Sequence, residues 1–188
     1  EAVSEHSDTY EVALIEGSVS TMHDIERLEH IGKIAKIIIA IGACASTGGL
    51  NCLKNLYGTE KAKELVYGDK KGWIDAIDTK PISDYVKVDY HARGCPPTRS
   101  EIVEIVSALI VGKVPEIPSY PVCVECKRLG NTCLYEFGMS CLGPVARAGC
   151  NARCPSAKSG CEACRGYVDD PNINAQKELL TQYGLTVK

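Results

Sequence analysis

Lys36-Ile37-Ile38-Ile39-Ala40-Ile41-Gly42-Ala43-Cys44-Ala45 is the stretch on which the fold turns. Its β-branched run does not alternate with polar residues, which is the pattern of a strand buried on both faces of a parallel sheet. The strand delivers Cys44 into the segment at its carboxyl end. Upstream, Val12 to Ile15 reads as a short buried strand ending at Glu16-Gly17. A helix follows that Ser20 or Thr21 can cap; it carries Ile25, Leu28 and Ile31 on one side and stops at Gly32. Downstream, a weaker strand from Tyr85 to Tyr90 leads to Gly94-Cys95-Pro96-Pro97. Thr98 and Glu101 then form a capping box, and Ile102, Ile105, Val106, Leu109 and Ile110 make the apolar stripe of a helix ending near Gly112. This is the grammar of an open α/β sheet, in which ligands gather outside the carboxyl ends of the strands. Glu16, Cys44 and Cys95 all stand at such ends.

Prolines at 115, 118 and 121 form a stiff linker and divide the chain into residues 1–114, an α/β domain, and residues 115–188. The second part holds eight of the eleven cysteines, spaced C-x2-C-x6-C-x7-C-x8-C-x3-C-x6-C-x2-C from Cys123 to Cys164. Thiolate is the soft donor that zinc and iron–sulfur clusters both select, and a four-iron cluster takes four of them. The simplest division is Cys123, Cys126, Cys133 and Cys141, then Cys150, Cys154, Cys161 and Cys164. Spacing alone leaves a pair of structural zinc sites open, because C-x2-C pairs also build zinc ribbons. Apolar periodicity is poor here, so ligand binding is expected to contribute folding free energy outright. The tail from Asn174 to Tyr183 is expected to form one amphipathic helix.

With 188 residues and 45% hydrophobic content the chain can build a real core. A formal charge of −3 offers no general attraction to nucleic acid or anionic membrane, and no apolar run is long enough for a membrane helix. Neither partner is expected. A disulfide framework belongs chiefly to small secreted domains without a core, so the cysteines point to metal ligation in a reducing compartment, the cytoplasm. His6, His23, His30 and His91 lack metal-site spacing and read as surface or loop residues. Cys52, beside Leu53, reads as a packing thiol. Arg147, Arg153 and Arg165 read either as a solvated basic edge or as charges that raise the potential of nearby clusters.

The words around the cysteines resemble one family. Ile15-Glu16-Gly17-Ser18, Gly42-Ala43-Cys44-Ala45 with Gly48-Gly49, Gly94-Cys95-Pro96-Pro97, Pro121-Val122-Cys123-Val124-Glu125-Cys126, Cys133-Leu134-Tyr135, Cys141-Leu142-Gly143-Pro144 and Cys161-x2-Cys164 occur in order. Together they resemble the small, electron-transferring subunit of cytosolic multisubunit nickel–iron hydrogenases. The resemblance implies a flavodoxin-like open parallel sheet followed by a small, irregular domain that binds iron–sulfur clusters. It implies no catalytic residue in this chain, because the nickel–iron site lies in a large partner subunit.

By the family pattern, Cys44 and Cys95 bind a proximal [4Fe-4S] cluster, with Glu16 beside it but not a ligand. Cys150, Cys154, Cys161 and Cys164 bind a medial cluster, and Cys123, Cys126, Cys133 and Cys141 a distal one. Many periplasmic relatives have a histidine at the position of Cys123 and only three medial cysteines, so two full four-iron clusters are expected here. The family's first strand and its C-x2-C, which supply two further proximal ligands, are not in this sequence and are expected upstream of Glu1. No hydrophobic anchor follows Gly166, which does not suit a membrane-bound enzyme. The implied partners are the large subunit and an electron-accepting subunit such as a diaphorase or a ferredoxin. Two other readings are a cluster-bearing subunit of a quinone-reducing respiratory complex, which fits the cysteine pattern poorly, and a zinc-stabilised scaffold or binding module.

Overall fold

The computed structural model describes residues 8–185; His6 lies outside them. The described residues form two compact units that divide between Ala92 and Arg93. The division falls at the end of the third strand rather than at the proline-rich segment.

The first unit is a three-stranded parallel sheet in the order β1-β2-β3, with β1 spanning Tyr10–Glu16, β2 Ala35–Ile41 and β3 Tyr90–Ala92. Ile38, Ile39 and Ala40 are buried consecutively, as a central strand covered on both faces requires. Burial of an Ile side chain contributes about 1.5–3 kcal/mol, so this short run anchors the unit. The edge strand β1 differs from the sequence reading, since Val12 and Leu14 are exposed and only its Ala13 and Ile15 face packs on the core.

Helix α1, Met22–Ile34, is capped by Thr21, whose hydroxyl accepts from Asp24 N while the Asp24 carboxylate accepts from the Thr21 and Ser20 amides. It runs past Gly32, which is retained inside the helix because a Cβ there would come within 2.7 Å of Val86 Cγ1. The expected strand over 85–90 shrinks to Tyr90–Ala92. The Asp89 carboxylate takes the Ile38 amide at 2.9 Å, a donor that a longer β3 would otherwise have paired. After β2 come α2, Gly42–Thr47, then α3, Leu53–Tyr57, and α4, Thr59–Tyr67.

The second unit carries α5, Arg99–Ile110, α6, Val122–Arg128, α7, Arg153–Ser156, and α8, Ile173–Gln182. The anticipated capping box of α5 does not form. Thr98 makes no side-chain cap, and Glu101 is buried instead against Arg165. Val122, Ala146 and Ala152 make a small core on which Cys126, Cys150 and Cys161 pack. Order in this segment therefore rests partly on apolar contact and partly on charge.

Candidate metal centres

Cys123 and Cys126 lie on one short helix, α6, whose first residue Val122 is buried and whose entry is fixed by Pro121. Cys133 precedes a 3-10 turn over Leu134–Phe137, and Cys141 follows it. All four cysteines line one cavity of about 480 Å3, together with Leu134, Tyr135, Pro144, Leu179 and Tyr183. Burial pushes the Cys123 thiol up to about 11, and the neighbouring Cys141, Cys126 and Cys133 push in the same direction. A buried thiol among three others suits a cationic iron core, which holds coordinating sulfur as thiolate. The backbone admits little else here, since a Cβ on Gly143 would sit 3.2 Å from Cys123 Sγ and 3.3 Å from Cys141 Sγ.

The second set is gathered by loops. Cys150 follows Gly149, Cys154 sits in α7, and Cys161 and Cys164 stand in the segment before Arg165. Burial pushes Cys161 up to about 12, with Cys141, Cys150 and Cys164 adding to it. Burial also raises Cys154 and Cys164; Cys164 and Cys150 add to the first, while Cys150 and Cys95 add to the second against a lowering contribution from the Cys95 backbone. The thiols that act on Cys161 come from both sets, Cys141 from the first and Cys150 and Cys164 from the second. Among the described residues, no three His, Cys, Asp or Glu side chains converge on one point as ligands of a single ion would.

Three carboxylate and guanidinium groups that the sequence did not single out for this role build these loops. Glu125, between the two cysteines of α6, accepts from Gly149 N at 2.8 Å and Ala152 N at 2.9 Å, so it straps the Cys150 loop to the helix of the other set. Arg165 is buried and pairs with Glu101 while donating from Nε to Ala148 O at 2.6 Å and from Nη1 to Arg93 O. Arg147 is also buried, donating to Pro118 O at 3.0 Å and to Asp169. The solvated-edge reading of Arg147 and Arg165 does not hold. Gln176 of α8 donates to Tyr135 Oη at 2.8 Å and to Cys141 O at 3.0 Å, tying the C-terminal helix to the first cavity.

In the first unit Cys44 lies in α2 directly after β2, and Glu16 ends β1 at the register position opposite Ile41. Both occupy the carboxyl end of the sheet. Glu16 is exposed in a cleft with Gly17, Ser18, Asp24 and Arg27. Cys52 points its thiol at Thr79 O, 3.3 Å away, and burial raises its pKa. It is only half-buried, not the enclosed packing thiol expected, and Cys44 also raises its pKa. His91 of β3 has Nδ1 3.2 Å from Ser46 Oγ of α2, inside the unit rather than on a loop. Cys95 belongs to the second unit, where it is exposed and lies near enough to Cys164 to act on that thiol's pKa.

Residues 1–109 match the family model of the NADH ubiquinone oxidoreductase 20 kDa subunit. The chain is 37% identical to the sulfhydrogenase 2 subunit delta of Pyrococcus furiosus, over 92% of its own length and 72% of the relative's. It is also 37% identical to a subunit of the vhu F420-non-reducing hydrogenase of Methanocaldococcus jannaschii, covering 90% of this chain and 70% of that one. Among solved structures, a chain of an NAD+-reducing [NiFe]-hydrogenase in the H2-reduced state superposes with a TM-score of 0.55 at 30% identity, over 63% of this chain and 75% of that one. A chain of the Ni-Fe-Se hydrogenase from Desulfomicrobium baculatum, 16% identical with a TM-score of 0.54, shares the fold over 89% of this chain and 74% of that one.

Proposed function

The chain belongs to the NADH ubiquinone oxidoreductase 20 kDa subunit family as a small, hydrogenase-related subunit, and on that premise we propose that it is the iron–sulfur electron relay of a cytoplasmic [NiFe] hydrogenase. Cys123, Cys126, Cys133 and Cys141 hold a distal [4Fe-4S] cluster, and Cys150, Cys154, Cys161 and Cys164 a medial one. Cys44 and Cys95 contribute two ligands to a proximal cluster, beside Glu16. When bound, the clusters supply one-electron redox chemistry between the nickel–iron site of a large partner subunit and an electron-accepting subunit, a diaphorase or a ferredoxin.

The observation that carries this reading is the cavity of about 480 Å3 lined by all four cysteines of the first set. Four thiols on one cavity of this size give room for the body of a four-iron cluster. The family model ends at residue 109, before the eight-cysteine segment, whereas the relatives named as hydrogenase subunits match about nine-tenths of the chain. This favours a hydrogenase over a quinone-reducing complex.

Within this scheme the chain's own residues exclude water, fix the sulfurs and set local charge. Leu134, Pro144 and Leu179 give the distal cavity an apolar wall, and Glu125 fixes the loop that presents Cys150. The test is the complex purified anaerobically with its large subunit. Under H2 its cluster absorbance bleaches and reduced-cluster paramagnetic signals appear. A complex that consumes H2 while this chain's spectrum stays unchanged contradicts the proposal.

A further inference from the structure

Two hydrogen bonds cross between the cysteine sets. Cys161 N donates to Cys141 Sγ at 3.3 Å, and Leu142 N returns a bond to Cys161 O at 2.8 Å. Cys141 and Cys161 are assigned to different sets, twenty residues apart in sequence, yet main chain meets sulfur directly. Resting on the relay reading, we infer that the Cys161 amide on Cys141 Sγ is the contact through which an electron passes between the medial and distal sites. The path runs from Cys161 Sγ through its own Cβ, Cα and N to Cys141 Sγ, with no other residue between. One electron leaves the cluster held by Cys150, Cys154, Cys161 and Cys164, and the same electron enters the cluster held by Cys123, Cys126, Cys133 and Cys141. No bond is made or broken, and the amide keeps its proton.

The same N–H has a second effect. Cys141 Sγ also accepts from Gly143 N at 3.4 Å, so two amide dipoles point at one sulfur. Donors to a cluster's sulfurs favour the reduced, more negative state and raise the reduction potential. The contact therefore both bridges the two sites and favours the electron's arrival on the distal side.

Gly160 guards the bridge. A Cβ built on it would lie 2.1 Å from Ser140 O and 3.6 Å from Cys141 Cα, closer to the carbonyl than packing allows. Gly160→Ala must push the 160–161 segment away from residues 140–141 and lengthen the Cys161 to Cys141 bond. In the assembled hydrogenase the expected result is retained iron and sulfide, a lowered distal potential in an EPR-monitored redox titration, and intercluster transfer after rapid photoreduction slowed by about tenfold, the scale on which outer-shell partners act. A purely structural role would lower iron content or the unfolding midpoint and leave the potentials of the loaded enzyme unmoved. A second reading needs no variant, because the wild-type enzyme with both clusters reduced is expected to show magnetically interacting signals. Fully loaded Gly160→Ala enzyme with unchanged potential and rate overturns the contact alone, as do two non-interacting signals in the wild type. Zinc in place of iron overturns the relay reading and the contact together.

Discussion

Arg165 and Glu101 form a buried, two-pronged ion pair, with Nη1 2.7 Å from Oε2 and Nη2 2.7 Å from Oε1. The pair joins the first turn of α5 to the residue following Cys164, and Arg165 continues to the carbonyls of Ala148 and Arg93. One guanidinium thereby fixes main chain on both sides of the medial ligands and close to Cys95. Removing one partner strands the other charge in the interior, which costs about 3–5 kcal/mol, whereas replacing both with apolar residues of similar volume is far milder. Glu101→Met should therefore lower the denaturation midpoint of the reconstituted chain sharply, and Glu101→Met with Arg165→Met should recover much of the loss. Equal losses in the single and double variants would show that the pair does not act as a unit.

Gly149 is the space into which that pair fits. Its φ is +108°, and a Cβ would lie 2.4 Å from Arg165 Nη2. Gly149→Ala should cost about 1–3 kcal/mol from backbone strain alone, with displacement of the guanidinium added. Denaturant unfolding of the variant reads this directly, and a midpoint equal to wild type would contradict it.

Glu125 should matter to the medial site although it lies between two distal ligands. Glu125→Gln keeps the shape but turns one acceptor into a donor facing the amides of Gly149 and Ala152. Loss of acceptor for a buried N–H costs about 1–3 kcal/mol, and the Cys150 loop loses its strap. Iron content should fall from about eight toward about four per chain, with the medial signal lost first. Loss of the distal signal first would contradict the assignment.

The four cysteines from Cys123 to Cys141 are grouped by their spacing alone, and the structure lines one cavity with all four. The central strand was legible too, since Ile38, Ile39 and Ala40 have no polar alternation. The Glu101–Arg165 pair was not, because its members are 64 residues apart and the local pattern Thr98 to Glu101 reads as a capping box. The role of Glu125 was not legible either, because its amide partners Gly149 and Ala152 lie 24 and 27 residues away. The length of β3 was hidden because Asp89 supplies the acceptor for Ile38 N from its side chain, which no periodicity reveals.

The capping box that does form, at Thr21 and Asp24, gives the first unit a pH dependence. Burial raises the Asp24 pKa, but the bonds from the Ser20 and Thr21 amides and hydroxyls outweigh it, so the folded-state value lies below the ordinary carboxylate value. Its contribution is fully present above the unfolded pKa of about 3.9 and is lost as pH falls through the lower folded value. Asp24→Asn should flatten the acid limb of the stability curve, and Thr21→Ala should cost about 1 kcal/mol near neutral pH. An acid limb in Asp24→Asn as steep as in wild type would assign that dependence to other groups.

The central claim is that the eight cysteines from Cys123 to Cys164 hold iron–sulfur clusters. Anaerobic iron, sulfide and zinc analysis of the chain, with intact mass for concentration, tests it most directly. The account predicts about eight irons with matching sulfide from the medial and distal sites, rising toward about twelve where the proximal site is also filled. Stoichiometric zinc without sulfide would contradict it.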